Sequence, residues 1–404
     1  MSGSRPDWIH PAFRLIEGEE SFGWADLASL PPPEGGVLRA DRPSRVLAAL
    51  AAAQETGQGI LLARGMADTA GWKPGRGFSI TLESSGTTGR PKRLRHDFAR
   101  LRGRLRGVAG EGARWLLTYD PGAFAGLQVM LTAAAAGALL VAVPAGSSAG
   151  SSAGGSGGSA GIVAALAQAA RRHAVTHVSG TPSFWRAFLM ALGGADLPLA
   201  AVTLGGEAVD QPLLDRLAER FPAARLRHIY ASTEAGALFA VADGRAGFPA
   251  AWLEEAPDGL ALRIADGVLE VRSPRAAAGT VDLEGWLSTG DLVERRGDRV
   301  LFAGRLDGLV NVGGVKVSPE AVERRLLAVE GVADAAVVAV PSPITGHLLT
   351  ATIVPAPGAD EAVLRVALRG ATADLPPAGR PRALTFTDHI PLSAAGKKSR
   401  KGAS

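Results

Sequence analysis

Up to about residue 76 the apolar positions fall in helical pieces such as 43–54, with the proline run Pro31-Pro32-Pro33 between them. From Phe78 the pattern changes. The segments 79–82, 115–119, 138–143 and 176–179 read as apolar strands separated by helical stretches, the signature of layered α/β structure with largely parallel strands. The apolar run 129–143 reads as a helix running into a strand, because it is Ala-rich and interrupted by Gly137. After Asp291 the segments shorten: strand 300–302, an amphipathic helix 319–329, strands 335–340 and 349–354, and a helix 360–372. Residues 146–161, GSSAGSSAGGSGGSAG, form a low-complexity stretch expected to be a flexible loop with no packed core.

The chain has 404 residues, enough for one large domain and a smaller one. Its net charge of +4 is too mild to argue for nucleic acid, and aromatics suited to stacking bases make up only 5%. A mild basic excess suits anionic ligands. There are no cysteines, which excludes disulfides, thiolate nucleophiles and cysteine-ligated metals and fits a reducing compartment. The first residues hold Asp7, His10 and two prolines and do not resemble a signal peptide. No apolar run reaches the ~20 residues of a membrane span. A cytoplasmic location is expected.

The densest chemistry is Ser84-Ser85-Gly86-Thr87-Thr88-Gly89-Arg90-Pro91-Lys92, directly after a strand. Glycines admit backbone N–H groups to an anion, hydroxyls add donors, and Lys92 adds a point charge, so the string reads as a phosphate-gripping loop. The alternative is an ordinary Ser/Thr/Gly turn. It is not a Walker loop, since G-x-x-x-x-G-K-[ST] is absent. A formal G-x-G-x-x-A match at Gly155 is rejected as a dinucleotide fingerprint, because no acidic residue follows before Asp196.

This loop resembles that of the adenylate-forming superfamily of acyl- and aryl-CoA synthetases, peptide-synthetase adenylation domains and luciferases. The other motifs of that family follow in order. Gly205-Gly206-Glu207 resembles the adenine-side loop, and Tyr230-Ala231-Ser232-Thr233-Glu234 resembles Y-G-x-T-E. Ser288-Thr289-Gly290-Asp291 resembles T-G-D, and Gly304-Arg305-Leu306-Asp307 the hinge motif. Lys316-Val317-Ser318-Pro319-Glu320 continues it, and 391–400 matches P-x-x-x-x-G-K-x-x-R.

The resemblance implies a large N-terminal α/β domain of layered sheets and helices (1–303), a hinge (304–307) and a small mobile α+β C-terminal domain (308–404). Glu234 would take Mg²⁺ and Thr233 would donate to phosphate, against an alternative as helix-capping residues. Tyr230 would stack on adenine, or be an interface aromatic. Asp291 would accept both ribose hydroxyls, with Arg305 on the ribose and phosphate side. Lys397 would stabilise the pentavalent transition state of adenylation, against an alternative in which it belongs with Lys398, Arg400 and Lys401 to a solvated basic tail. Asp307 would be the pivot that later brings Gly313 and Gly314 to the site for thiol attack. Arginines 90, 93, 95, 100, 102, 104 and 106 read first as a solvated helix face.

Three departures stand out. The phosphate loop begins at residue 84, nearer the start than in longer relatives. Ala231 replaces the usual glycine. No histidine lies in the stretch 119–126, where Phe124 would wall an acyl pocket and Asp120 would bind a substrate amino group. The expected function is ATP-dependent activation of an aryl or short-to-medium carboxylic acid, then transfer to coenzyme A or the phosphopantetheine of a separate acyl carrier protein. The competing readings are a ligase with an amine acceptor or an amino-acid substrate, and a non-catalytic binding protein that keeps the fold.

Overall fold

The strands of the largest sheet include Leu139–Ala142, apolar on both faces as burial on two sides requires, and His177–Gly180, with His177 and Ser179 on its half-buried face. Their order is Gly236–Val241, Arg225–Ser232, Ala201–Gly205, His177–Gly180, Arg114–Leu116, Leu139–Ala142, Arg14–Glu17 and Glu20–Phe22. Every interior pairing is parallel, and only the two outermost strands run antiparallel to their neighbours. The computed structural model describes residues 4–64, 69, 71–75, 77–84, 92–102, 112–144, 159–232, 236–274, 281–393 and 395–399.

A second sheet orders Val37–Arg39, Ile60–Ala63, Ser79–Ser84 and Lys92–Asp97. Its last two strands pair antiparallel, with Ser84 opposite Lys92. The segment 85–91 therefore joins adjacent strand ends. A five-stranded antiparallel sheet, Phe248–Pro249, Arg299–Arg305, Leu287–Arg296, Val268–Arg272 and Ala261–Ala265, completes the large lobe with its own aromatic core around Phe239, Phe248 and Phe302. The small lobe follows: the hairpin Val310–Val312/Val315–Val317, helix Pro319–Leu327, the sheet Val332–Ser342, Gly346–Pro355 and Ala383–Phe386, and helix Glu361–Ala371. Both helices are capped by the residue the sequence offers: Ser318 accepts from Ala321 N at 3.2 Å, and Asp360 from Ala362 N at 2.7 Å.

The mixed α/β architecture with a large and a small domain is the one expected. Two local readings change, those of Arg93 with Arg95 and of residues 159–161, while Arg102 keeps its helix face. Arg93 and Arg95 lie on a strand and not on a helix face, because Lys92–Asp97 pairs with Ser79–Ser84; Arg93 Nε donates to Glu83 (3.2 Å) and Arg95 Nε to Ser79 Oγ (2.8 Å). Arg102 sits in the short helix Phe98–Arg102 and binds Asp7 at 2.6 Å. Residues 159–161 of the low-complexity stretch are helical, since the buried stripe Val163, Leu166, Ala167 and Ala170 carries the helix Ser159–Arg172 back into them. The rest of that stretch lies outside the described residues, as do arginines 90, 104 and 106 and the side chain of Arg100.

Helix Phe124–Ala135 packs so closely on the turn before it that a Cβ on Gly126 would lie 2.1 Å from the Asp120 carbonyl oxygen. Gly161 meets nothing within 4 Å. Gly126→Ala is therefore expected to destabilise the chain by about 1–3 kcal/mol, and Gly161→Ala to leave stability unchanged or slightly higher. Denaturant unfolding of the two variants checks this; equal midpoints contradict the packing described.

Candidate active site

Tyr230, near the end of the Arg225–Ser232 strand, rests against Phe239 and Phe302 with ring centroids 5.2 and 4.9 Å away. Its hydroxyl donates to Asp291 Oδ2. Asp291 sits directly opposite Arg305 in the register of their two strands, so the backbone brings carboxylate and guanidinium together. Arg305 Nη1 reaches Asp291 Oδ1 at 3.1 Å and Thr289 O at 3.2 Å, while its Nε holds Asp307 at 3.0 Å. Gly290 is needed here. Its φ is +72°, and a Cβ would come within 3.1 Å of the Arg305 guanidinium. The backbone N–H of Asp291 donates to Thr289 Oγ1 at 3.1 Å, which fixes the turn.

Burial raises the Asp291 pKa above the ordinary carboxylate value, although Tyr230, Arg305 and Lys397 all pull it down. Burial, with the Asp291 charge, raises Tyr230 well above the usual phenol. The Tyr230 ring is thus part of a core, and its polar work is to hold Asp291. Ala231 follows at a break in register between its strand and Gly236–Val241, an irregularity that re-aims the backbone at that point.

Across from this cluster, Gly206 (φ +83°) opens the loop after strand Ala201–Gly205. A Cβ on Gly206 would stand 3.8 Å from Lys397 Cε. Glu207 points the other way: its carboxylate accepts from Ser183 N at 3.0 Å and steadies the start of helix Pro182–Leu192. Thr181 caps that helix, accepting from Phe184 N at 3.0 Å, and its hydroxyl donates to Gly396 O. Gly396 (φ +70°) is the residue before Lys397. Ser159 Oγ accepts from Leu392 N at 2.8 Å. The turn that leads into Lys397 is thereby tied to the large lobe at both ends.

Tyr230, Asp291, Arg305, Gly206 and Lys397 are therefore brought into one region, with Asp307 attached through Arg305. Ser85, Gly86, Thr87, Thr88, Gly89, Thr233 and Glu234 lie outside the described residues, and so do the side chains of Ser84, Lys92 and Ser232. Gly313 (φ +59°) and Gly314 (φ +87°) form the two-residue turn of the small-lobe hairpin, where Gly313 N donates to Thr345 O at 2.9 Å. Phe124 opens its helix, half-buried, 5.8 Å from the His96 ring. Asp120 binds Arg64 Nε at 3.1 Å and Gly122 N at 2.8 Å, so a substrate amine there would compete with a guanidinium.

Lys398 requires a correction. It is not part of a solvated tail: it is only 8% exposed, paired with Glu323 and Asp334. Thr181, which holds the turn before Lys397, lies outside the motifs, although Thr followed by Pro at the first helical position is a legible cap signal. Arg186, Asp210 and Asp334 also lie outside every motif, and nothing in the sequence shows that these distant residues meet.

The model of the AMP-binding enzyme family matches residues 82–259, and that of the AMP-binding enzyme C-terminal domain matches 321–397. A 3-[(3aS,4S,7aS)-7a-methyl-1,5-dioxo-octahydro-1H-inden-4-yl]propanoyl:CoA ligase of Mycobacterium tuberculosis is 30% identical over 260 residues, covering 58% of this chain and 49% of that protein. The chain thus spans about half the length of that curated relative, and less of others. Among solved structures, a variant of E. coli MenE with bound OSB-AMS shares the fold at TM-score 0.66 and 21% identity, over 92% of this chain and 91% of that one. The amide bond synthetase McbA from Marinactinospora thermotolerans does so at TM-score 0.64 and 21% identity, over 96% and 95%. Fold and family-model matches together define the class, a two-lobed protein of the AMP-binding enzyme type. The chain belongs to the adenylate-forming superfamily of AMP-binding enzymes.

Because the folded-state pKa of Asp291 is raised, this group favours folding only below its unfolded pKa, and that contribution is lost as pH rises through the folded value. At neutral pH the ionised carboxylate thus adds no stability. Asp291→Asn is expected to melt at the same or a higher temperature than the parent at pH 7, with weakened binding of adenosine nucleotides. A markedly lower melting midpoint contradicts this balance of burial against ion pairing.

Proposed function

We propose that this chain joins a carboxylic acid to ATP, forming an acyl-adenylate and pyrophosphate, and then passes the acyl group to a thiol. In the first step a carboxylate oxygen bonds to the α-phosphorus as pyrophosphate leaves. In the second a thiolate attacks the acyl carbon, and AMP leaves. The observation that carries the reading is Lys397: a small-lobe lysine delivered beside Gly206 and within electrostatic reach of Asp291. An ammonium at that point stabilises the charge that builds on the α-phosphoryl oxygens, an interaction stronger in the transition state than in the ground state.

The remaining roles follow from chemistry. Asp291 accepts the ribose hydroxyls, held in place by Tyr230 and Arg305. The 84–92 loop grips the β- and γ-phosphates with Lys92, Thr87 and Thr88. Glu234 would hold a magnesium ion, which would supply positive charge to the triphosphate, and Thr233 would donate to phosphate. Rotation about Asp307, in the segment 304–307, then exchanges Lys397 for the Gly313–Gly314 turn, whose lack of side chains lets an extended pantetheine arm pass. The acceptor is coenzyme A or a separate carrier protein, in line with the CoA ligase relative. An amine is the competing acceptor, favoured by the likeness to McbA. The acid is aryl or short-to-medium acyl.

Lys397→Ala is expected to cut acid-dependent exchange between pyrophosphate and ATP by about 10²–10³-fold. Conversion of preformed acyl-adenylate to thioester is expected to continue. Exchange that survives the substitution removes Lys397 from the proposed chemistry. Supplying amines in place of coenzyme A in the same product assay separates the two acceptors.

A further inference from the structure

Helix Pro182–Leu192 carries one ionised group, Arg186, that the proposed chemistry leaves unused. Arg186, 2% exposed, binds Asp210 through Nη2. Its Nε lies 3.7 Å from Asp334 Oδ1, an ion-pair separation too long for a hydrogen bond. Asp334, also 2% exposed, stands near the start of the small-lobe strand Val332–Ser342. The same oxygen is 2.8 Å from Lys398 Nζ, which is also 3.0 Å from Glu323. Beside them Arg216 of the large lobe donates to Ala333 O (3.2 Å) and Val332 O (3.1 Å).

Desolvation alone would lower the pKa of both buried cations, yet their carboxylate partners hold Arg186 and Lys398 above their ordinary values. The chain of charges Asp210, Arg186, Asp334, Lys398, Glu323 thus alternates in sign and crosses between lobes. Such buried charges are tolerated only while every member keeps its partner.

Sequence adjacency gives the chain its consequence. Lys398 pairs with Leu392 across an isolated bridge directly after the bend at Gly396 and Lys397, and the two lysines diverge: Lys398 Nζ goes to Asp334, while Lys397 Cε lies beside Gly206.

We propose that Asp334 is a positioning residue. It joins Arg186 of the large lobe to Lys398 of the small lobe, so that lobe docking and the aim of Lys397 are one event favouring adenylation over thiol transfer. This rests on the two-step reading above. When the lobes part, Arg186 and Asp334 regain water. Neutralising Asp334 therefore penalises the docked arrangement more than the parted one.

Asp334→Asn tests the proposal. Pyrophosphate exchange is expected to fall about tenfold or more, a shift reached by modest differential stabilisation of one of two arrangements. Thioester formation from preformed acyl-adenylate is expected to be unchanged. A second readout does not need activity. The chain has no cysteine, so Glu219→Cys and Glu361→Cys, both exposed and one on each lobe, accept a donor and acceptor dye for single-molecule energy transfer. The docked population is expected to dominate in the parent and to fall in Asp334→Asn. Arg186→Lys, which keeps a cation for Asp210 but withdraws Nε from Asp334, replaces that variant if it does not fold. Equal losses in both half-reactions, or an unchanged energy-transfer distribution, overturn the proposal. If the parent exchanges pyrophosphate with no acid, the adenylation reading fails, and energy transfer alone decides the coupling.

Discussion

The seating of the C-terminal motif on helix Pro182–Leu192 is the constraint on which the rest of the site depends. The Thr181 hydroxyl holds Gly396, the backbone of Leu392 donates to Ser159, and Met190 of that helix packs against the small buried cluster that includes Ile390. None of these is strong alone. Together they fix a turn whose next residue is Lys397, and an otherwise entropically free lysine becomes a cation at a defined place. The large lobe contributes rigidity. Trp185 on the same helix donates to Thr203 O at 2.9 Å, so the docking surface is fastened to the central sheet.

Charge is arranged in two layers. Next to the proposed nucleotide site, Asp291 is kept half-satisfied by Tyr230 and Arg305, its burial working against ionisation. Between the lobes, the chain Asp210, Arg186, Asp334, Lys398 and Glu323 gives each charge an opposite neighbour. In the first layer burial sets a cost on the ionised carboxylate. The second adds orientation, since buried pairs contribute more to where groups sit than to net folding energy.

Much of this is legible in the sequence because the relevant physics is local. A Ser or Asp before an amphipathic run announces its helix, as Ser318 and Asp360 do. Apolar runs such as 138–143 announce buried parallel strands. Residues that meet through strand register, such as Asp291 and Arg305, can be picked out because each lies in its own recognisable string. What escapes is non-local. Arg186, Asp210 and Asp334 are ordinary charged residues until the fold brings together positions far apart in the chain. Lys398 escapes because composition near a chain end points to solvent, while its burial depends on Glu323 and Asp334. Strand pairing likewise overrides the helical reading of Arg93 and Arg95.

The most direct measurement of the central claim is isotope exchange between pyrophosphate and ATP by the unaltered chain, without any thiol, over a panel of aryl, fatty, hydroxy and amino acids. The account predicts exchange that is absent without acid and appears with at least one class of acid. Nucleotide binding accompanied by no acid-dependent exchange across the whole panel would contradict it.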